Sequence, residues 1–287
     1  MKRILFPIAL SLLSHFGCGG SGTDDDTDGT ADSDPTDTEI PDTDLVDSDS
    51  DVVDTDTDAT PSGGGLSDSF DGSGPLVDYV TNNPDSLPDV ARADGRYRAN
   101  LVDNTNNITL HFNGDQGRLD AKLIDFPFDV AVRNIGIGTQ ADSQVAPPPS
   151  GDPYVFAGVQ VHVPELESRN SSHIVVGHRG GTHFTVEGKN TVEGSSSVND
   201  VGFNAVPAGR ADIRVVGNAD HTLTIHWQVP NLDPGNTPDN WTLYGGSGDL
   251  PGNAPAYGPS VYVGLITYAF NQTGVPFVGT CDAIEEL

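Results

Sequence analysis

Beyond residue 65 the chain alternates apolar and polar side chains in short runs, each bounded by Gly, Pro, Asn or Asp. A period of two marks strands with one buried face, because successive side chains point to opposite sides of a sheet. The runs predict strands at 67–70, 96–101, 107–112, 118–124, 128–135, 154–163, 173–179, 182–188, 211–217, 221–229, 241–245, 260–270 and 276–284. A helical spacing is present only around 84–91, and no internal repeat is evident. So many short strands predict one all-β domain, residues 66–287, built as a two-sheet antiparallel jelly-roll sandwich.

Upstream the pattern breaks down. The start, MKRILFPIALSLLSHFGC, has Lys2 and Arg3, an apolar run from Ile4 to Leu13, then small residues and Cys18. That order is the grammar of a secretory signal, residues 1–17, and the apolar run is too short for a membrane span. The segment resembles a bacterial lipoprotein signal, which implies lipidation of Cys18; His15 and Phe16 depart from that pattern, and plain secretion is the alternative. Gly19 in place of Asp implies, within the same resemblance, sorting to the outer membrane or cell surface.

Residues 18–65 are dominated by Asp, Thr and Ser, with sixteen acids and no Lys or Arg between 23 and 60. Such a segment buries too little apolar surface to offset the entropy of ordering, and its charges repel one another, so a disordered Asp/Thr-rich linker is expected. Asp24, Asp26, Asp28, Gly29 and Asp32 follow the alternating-oxygen plan of a calcium loop, but Pro35 stands where a closing acid is needed. Diffuse cation binding by a polyanion accounts for that stretch. Residues 62–287 keep 26 acids against 11 bases. This balance argues against nucleic acid as a partner and against electrostatic docking on anionic lipid, leaving a lipid anchor as the route to a membrane.

The ends of the domain carry a resemblance. LSDSFDGSG opens it at 66–74, VGTCDAIEEL closes it at 278–287, and SVYVGLITYAF comes just before. These segments resemble the concanavalin A-like lectin/glucanase superfamily. The resemblance implies that the first and last strands pair in one sheet, and it covers nearly all of residues 66–287. It also implies a structural calcium ion, with Asp71, the Gly72 carbonyl and Asp282 as candidates; two surface aspartates near a sheet edge are the alternative. The fold hosts lectins, hydrolases, lyases and structural modules, so function must come from the sites.

Three features offer chemistry. In HIVVGHRGGTHFTV a two-residue turn at Gly180-Gly181 would set His178 opposite His183, with Glu187, Ile174, Val176 and Thr185 on that face and His173 on the other. A zinc ion would need a third converging ligand, so a structural pair is the simpler reading. Alternation elsewhere leaves Gln160, His162, Arg214, His226 and Gln228 on polar faces; as neighbours in a concave sheet they would line a sugar-binding groove, with Trp241 and Tyr244 stacking from a loop. A solvated sheet face is the plain alternative. Related glucanases carry Glu-x-Asp-x-x-Glu on one strand, and no such string occurs here; Gln160-Val-His162 is similar to the Gln-Ile-His strand of alginate lyases of this fold. Cys281 reads as a buried thiol. The expectation is a surface-anchored, non-catalytic lipoprotein whose sandwich binds glycan or another surface macromolecule. A polysaccharide hydrolase or lyase, and a purely structural envelope protein, are the alternatives.

Overall fold

The computed structural model describes residues 65–87, 89–101, 118–139, 154–180, 183–270 and 277–287. The signal, Cys18, almost all of the linker and the strand expected at 107–112 lie outside these residues. Among the described residues fifteen strands are numbered in chain order. Seven form one antiparallel sheet, in the order β1 (Val80–Asn82), β4 (Arg118–Asp125), β13 (Ser260–Phe270), β6 (Tyr154–His162), β7 (Ser171–Arg179), β8 (Phe184–Val192) and β9 (Ser195–Asp200). The second sheet runs β12 (Thr242–Leu243), β11 (Leu223–Gln228), β10 (Arg210–Gly217), β5 (Phe128–Gly138), β14 (Val278–Cys281), β3 (Arg96–Asn100) and β2 (Val90–Ala93), and β15 (Ala283–Glu286) adds to β5. The helical spacing at 84–91 resolves into a single 3₁₀ turn, Pro84–Ser86, followed by β2. The architecture is the expected all-β two-sheet sandwich.

Alternation explains the core. Val155, Ala157, Val159 and Val161 of β6, Ile174 and Val176 of β7, and Val261, Val263 and Leu265 of β13 face Val130, Val132, Ile135 and Ile137 of β5 and Ile213 and Val215 of β10. Each Val, Ile or Leu among them contributes about 1.5–3 kcal/mol by leaving water. The two ends of the domain also meet. Asp68 donates its N–H to the Ile284 carbonyl at 2.9 Å and accepts from Ile284 N–H at 2.8 Å, as the resemblance implied. Cys281 is buried, and burial pushes its thiol pKa up, which keeps it protonated and unreactive.

The histidine hairpin differs from expectation by one residue. His178 pairs with Phe184 rather than His183, and Val176 pairs with Val186. A one-residue slip sends every side chain of one strand to the other face. In the observed register Phe184 and Val186 enter the inter-sheet core, where the expected register would have placed His183 and Thr185. Burying two large apolar side chains decides the pairing. His183 and Glu187 therefore share a face with His173, and His178 points away from them.

Two further details position the sites. Gly158 and Gly177 lie on the outward face of β6 and β7, where a Cβ would overlap the backbone carbonyls of Ile174 and Val155 on the neighbouring strand. The strands approach too closely there for any side chain. In the other sheet the pairing of β10 with β5 shifts register between Ala211 and Ile213, so that Arg133 and Asn134 lie opposite the single residue Asp212. Asn134 takes a left-handed φ of 48°. This is a β-bulge, a device that re-aims side chains beside functional surfaces.

Candidate functional site

The bulge organises a polar network on the outer face of the eight-stranded sheet. It lifts Asn134 N–H out of the ladder, and Asp212 Oδ1 accepts that hydrogen bond at 2.7 Å. Asp212 Oδ2 accepts from Gln228 Nε2 at 2.8 Å, from Asn231 N–H at 2.9 Å and from Arg133 at 3.4 Å. Arg133 in turn donates both terminal nitrogens to Asp239, at 2.9 and 3.0 Å, and its Nε to Glu285 at 2.7 Å. The indole of Trp241 lies 5.3 Å from that guanidinium. Arg133, joined by Asn231 and Gln228, holds the Asp239 carboxyl well below the usual range. Asp212 is fully buried, so each of its partners replaces a lost water.

The seven residues expected to line one groove are divided. Arg214 and His226 are cross-strand partners on β10 and β11, and Asp212 and Gln228 are partners on the same face. With Trp241 they make one surface. Gln160 and His162 belong to the other sheet. The ring nitrogens of His162 lie 2.7 Å from the Val163 carbonyl oxygen and 3.2 Å from that of Ser168, so the ring braces a loop. Tyr244 is buried in the core, its hydroxyl donating to Asn199. On the shared surface Asp129 receives Arg214 through two hydrogen bonds. Burial, then the Arg214 charge, lower the His226 pKa, which leaves the imidazole neutral at pH 7.

A second cluster lies on the outward face of the seven-stranded sheet. Gln160, His173 and Lys189 are consecutive cross-strand partners, as are Val175, Glu187 and Asp200. Tyr268 Oη lies 3.4 Å from His173 Nε2 and 3.5 Å from Glu187 Oε1. Arg179 reaches Glu187 at 2.9 Å and also pairs with Asp200. Burial raises the Glu187 pKa to about 7 and lowers that of Lys189 to about 8. Burial, then the Lys189 charge, push His173 well below its ordinary value, and burial raises Tyr268. Perturbed groups that share one face are a recognised mark of functional sites, although ion-pair networks produce them too. Gln160, His173 and Tyr268 are 1–3 % exposed, whereas Arg179 and Asp200 are partly open.

For the metal candidates, the Asp282 carboxylate pairs with Arg96 and accepts from Asn134 Nδ2 at 2.9 Å, while the exposed Asp71 accepts from Ser69. Among the described residues no group of three or more His, Cys, Asp and Glu side chains is placed to hold a metal ion.

No protein-family model matches the chain, and no curated protein matches it. Solved structures do. They include the GH43 BlXynB protein from Bacillus licheniformis, with 16 % identity and a TM-score of 0.49 over 77 % of this chain and 39 % of that one. A xylan beta-1,4-xylosidase from Bacillus halodurans C-125 follows, with 13 % identity and a TM-score of 0.47 over 78 % and 39 %. A beta-glucanase from Bacillus licheniformis matches with 10 % identity and a TM-score of 0.42 over 78 % and 98 %. The chain thus spans about two fifths of the length of the first two.

Proposed function

We propose that this chain is an exported polysaccharide-binding sandwich, anchored at the outer membrane or cell surface by a lipid on Cys18 and held off it by the acidic linker. The glycan lies on the outer face of the eight-stranded sheet. The observation that carries this reading is the meeting there of Arg214, Asp129, His226 and Trp241, with Arg133 beneath the indole. Planar groups offer paired donors and acceptors to adjacent hydroxyls, a neutral imidazole offers one of each, and an indole covers the apolar face of a sugar ring. Asp129 and Asp239 are both tied to arginines, which supports binding over hydrolysis, since a hydrolase needs one carboxyl free to donate a proton. The test is affinity electrophoresis of the full chain in gels of soluble polysaccharides. Retardation by at least one polymer is expected, with about tenfold weaker binding in Arg214→Ala, as for the loss of one charged hydrogen bond. Retardation by none would end the reading.

The opposite sheet favours a second reading, a polysaccharide lyase, on one observation: the contact of Tyr268 with His173 beside Gln160. Gln160, His173 and Tyr268 are nearly closed to solvent, so this reading requires the face to open first. A neutral His173 would then take the proton α to a uronate carboxylate, Gln160 and Lys189 would hold that carboxylate, and Tyr268 would protonate the departing oxygen as the C–O bond breaks and a C=C bond forms. Incubation with alginate or polygalacturonate should then raise absorbance from unsaturated ends. Tyr268→Phe should abolish that rise while leaving the retardation in gels intact. A flat trace for the unmodified chain removes the lyase.

A further inference from the structure

We infer that the loop joining β11 to β12, residues 229–241, forms a separate site for an uncharged sugar residue. The inference rests on the glycan-binding reading but uses different side chains. Trp227, Asn231, Leu232, Pro238, Asn240 and Thr242 border a depression of about 560 Å³, within the range of small-ligand sites. Most loops this long and irregular are mobile. This one is tied down at both ends.

Asn231 donates its side-chain amide to the Thr237 carbonyl at 2.8 Å and to Asp239 at 3.0 Å, and its backbone N–H goes to the buried Asp212. Asn240 N–H donates to Gln228 Oε1 at 2.7 Å. Thr237 and Asn236 N–H both bond the Asp233 carbonyl, closing a turn. A wall fixed by the bulge network loses little entropy when a ligand arrives.

The lining defines the ligand class. Among the described residues no Lys, Arg or His borders the depression, so a uronate or phosphate finds no counter-charge from them. The one carboxylate among the described lining residues, Asp233, accepts from the Asn236 amide through both of its oxygens. The side chains of Asn240 and Thr242 make no hydrogen bond to another described residue, and both are solvent-facing. Val229 and Leu232 stand 67 % and 71 % exposed at the rim, an apolar edge that the core does not use. Unspent amide and hydroxyl groups beside an indole edge, prolines and aliphatic side chains suit a molecule with polar hydroxyls and apolar C–H faces, which is a neutral pyranose. The acidic balance of residues 62–287, 26 acids against 11 bases, further disfavours an acidic sugar.

The test is saturation-transfer NMR and titration calorimetry on the full chain with xylotriose, cellotriose and, as the charged control, trigalacturonate. At least one neutral trisaccharide should bind. The surface double variant Asn240→Ala/Thr242→Val should weaken it about tenfold, the loss expected for two hydrogen bonds, and Glu167→Ala, at an exposed position of the loop between β6 and β7, should leave it unchanged. Binding of trigalacturonate as tight as that of the neutral sugars, insensitivity to the double variant, or no binding of either neutral probe would each overturn the inference. Because Arg214→Ala tests polysaccharide retardation separately, failure of the loop site and failure of the broader glycan reading give different patterns. Unchanged near-ultraviolet circular dichroism identifies a folded double variant; Leu232→Ser at the exposed rim, which removes only apolar contact, supplies the independent arm and should also weaken neutral sugar.

Discussion

Asp212→Ala is expected to lower the stability of the domain by about 3–5 kcal/mol, the usual penalty for removing one partner from a buried charged network. The carboxylate accepts four hydrogen bonds, from Asn134 N–H, Gln228, Asn231 N–H and Arg133. Without it the bulge N–H of Asn134 has no acceptor, and Arg133 keeps only Asp239 and Glu285 at the surface. Asp212→Asn retains one acceptor oxygen and should cost less, because the shape survives and the charge imbalance is shared with Asp239. Urea denaturation of the three proteins measures this directly. A loss below about 1 kcal/mol in Asp212→Ala, the scale of a single neutral hydrogen bond, would show that the network is decoration on an otherwise sufficient core. The variant should also loosen the loop at 229–241, since Asn231 N–H is fastened to the same oxygen.

Alternation alone is enough to place the long strands, because β5, β6, β7, β10 and β13 each have a continuous apolar side that only one burial pattern satisfies. Short edge strands carry no such pattern. β1, β2 and β9 leave no mark on it: Val80–Asn82 is only three residues long, and Ser195–Asp200 has one large apolar side chain, Val198, which is 39 % exposed. β9 exists because β8 offers it a backbone ladder, a reason invisible in its own sequence.

The sites show the same limit. Which strands are neighbours decides which polar faces merge, and alternation does not report neighbours. Arg214 and His226 fall together because β10 and β11 form a hairpin; Gln160 shares chemistry with them but lies in the other sheet. Asp212 is legible in principle, as an acid set between Ala211 and Ile213 inside a strand. Its role is not, because the bulge opposite it depends on Asn134 taking a positive φ, and Asn signals that only weakly. The cluster around Glu187 is hidden for a simpler reason. A hairpin turn one residue shorter than the real one puts Glu187 beside His178 and parts it from His173.

That cluster yields the second large effect. Glu187→Gln is expected to match the unmodified protein at about pH 4 and to exceed its stability by about 2–3 kcal/mol at pH 7, because each tenfold difference in proton affinity between the folded and unfolded chain is worth about 1.4 kcal/mol. Burial raises the folded pKa of Glu187 to about 7 from an ordinary value of 4.5. The folded state therefore holds this proton where the unfolded chain has released it. The associated stability is complete below pH 4.5 and is lost as the pH climbs through 7. Glutamine has nearly the same shape as the protonated acid and never ionises, so the variant escapes the loss, and its side-chain oxygen still accepts from Arg179. His173 works in the opposite direction: its depressed pKa costs stability as the pH falls below 6.5. That slope is common to both proteins and cancels when one curve is subtracted from the other. Lys189, at about 8 beside the Glu187 carboxylate, remains charged across the interval in the unmodified protein. Urea midpoints at closely spaced pH values between these two limits give the difference curve. A rise toward neutrality places Glu187 in a desolvated site, and two parallel curves would show the carboxyl to be hydrated and the cluster to be an ordinary surface ion pair.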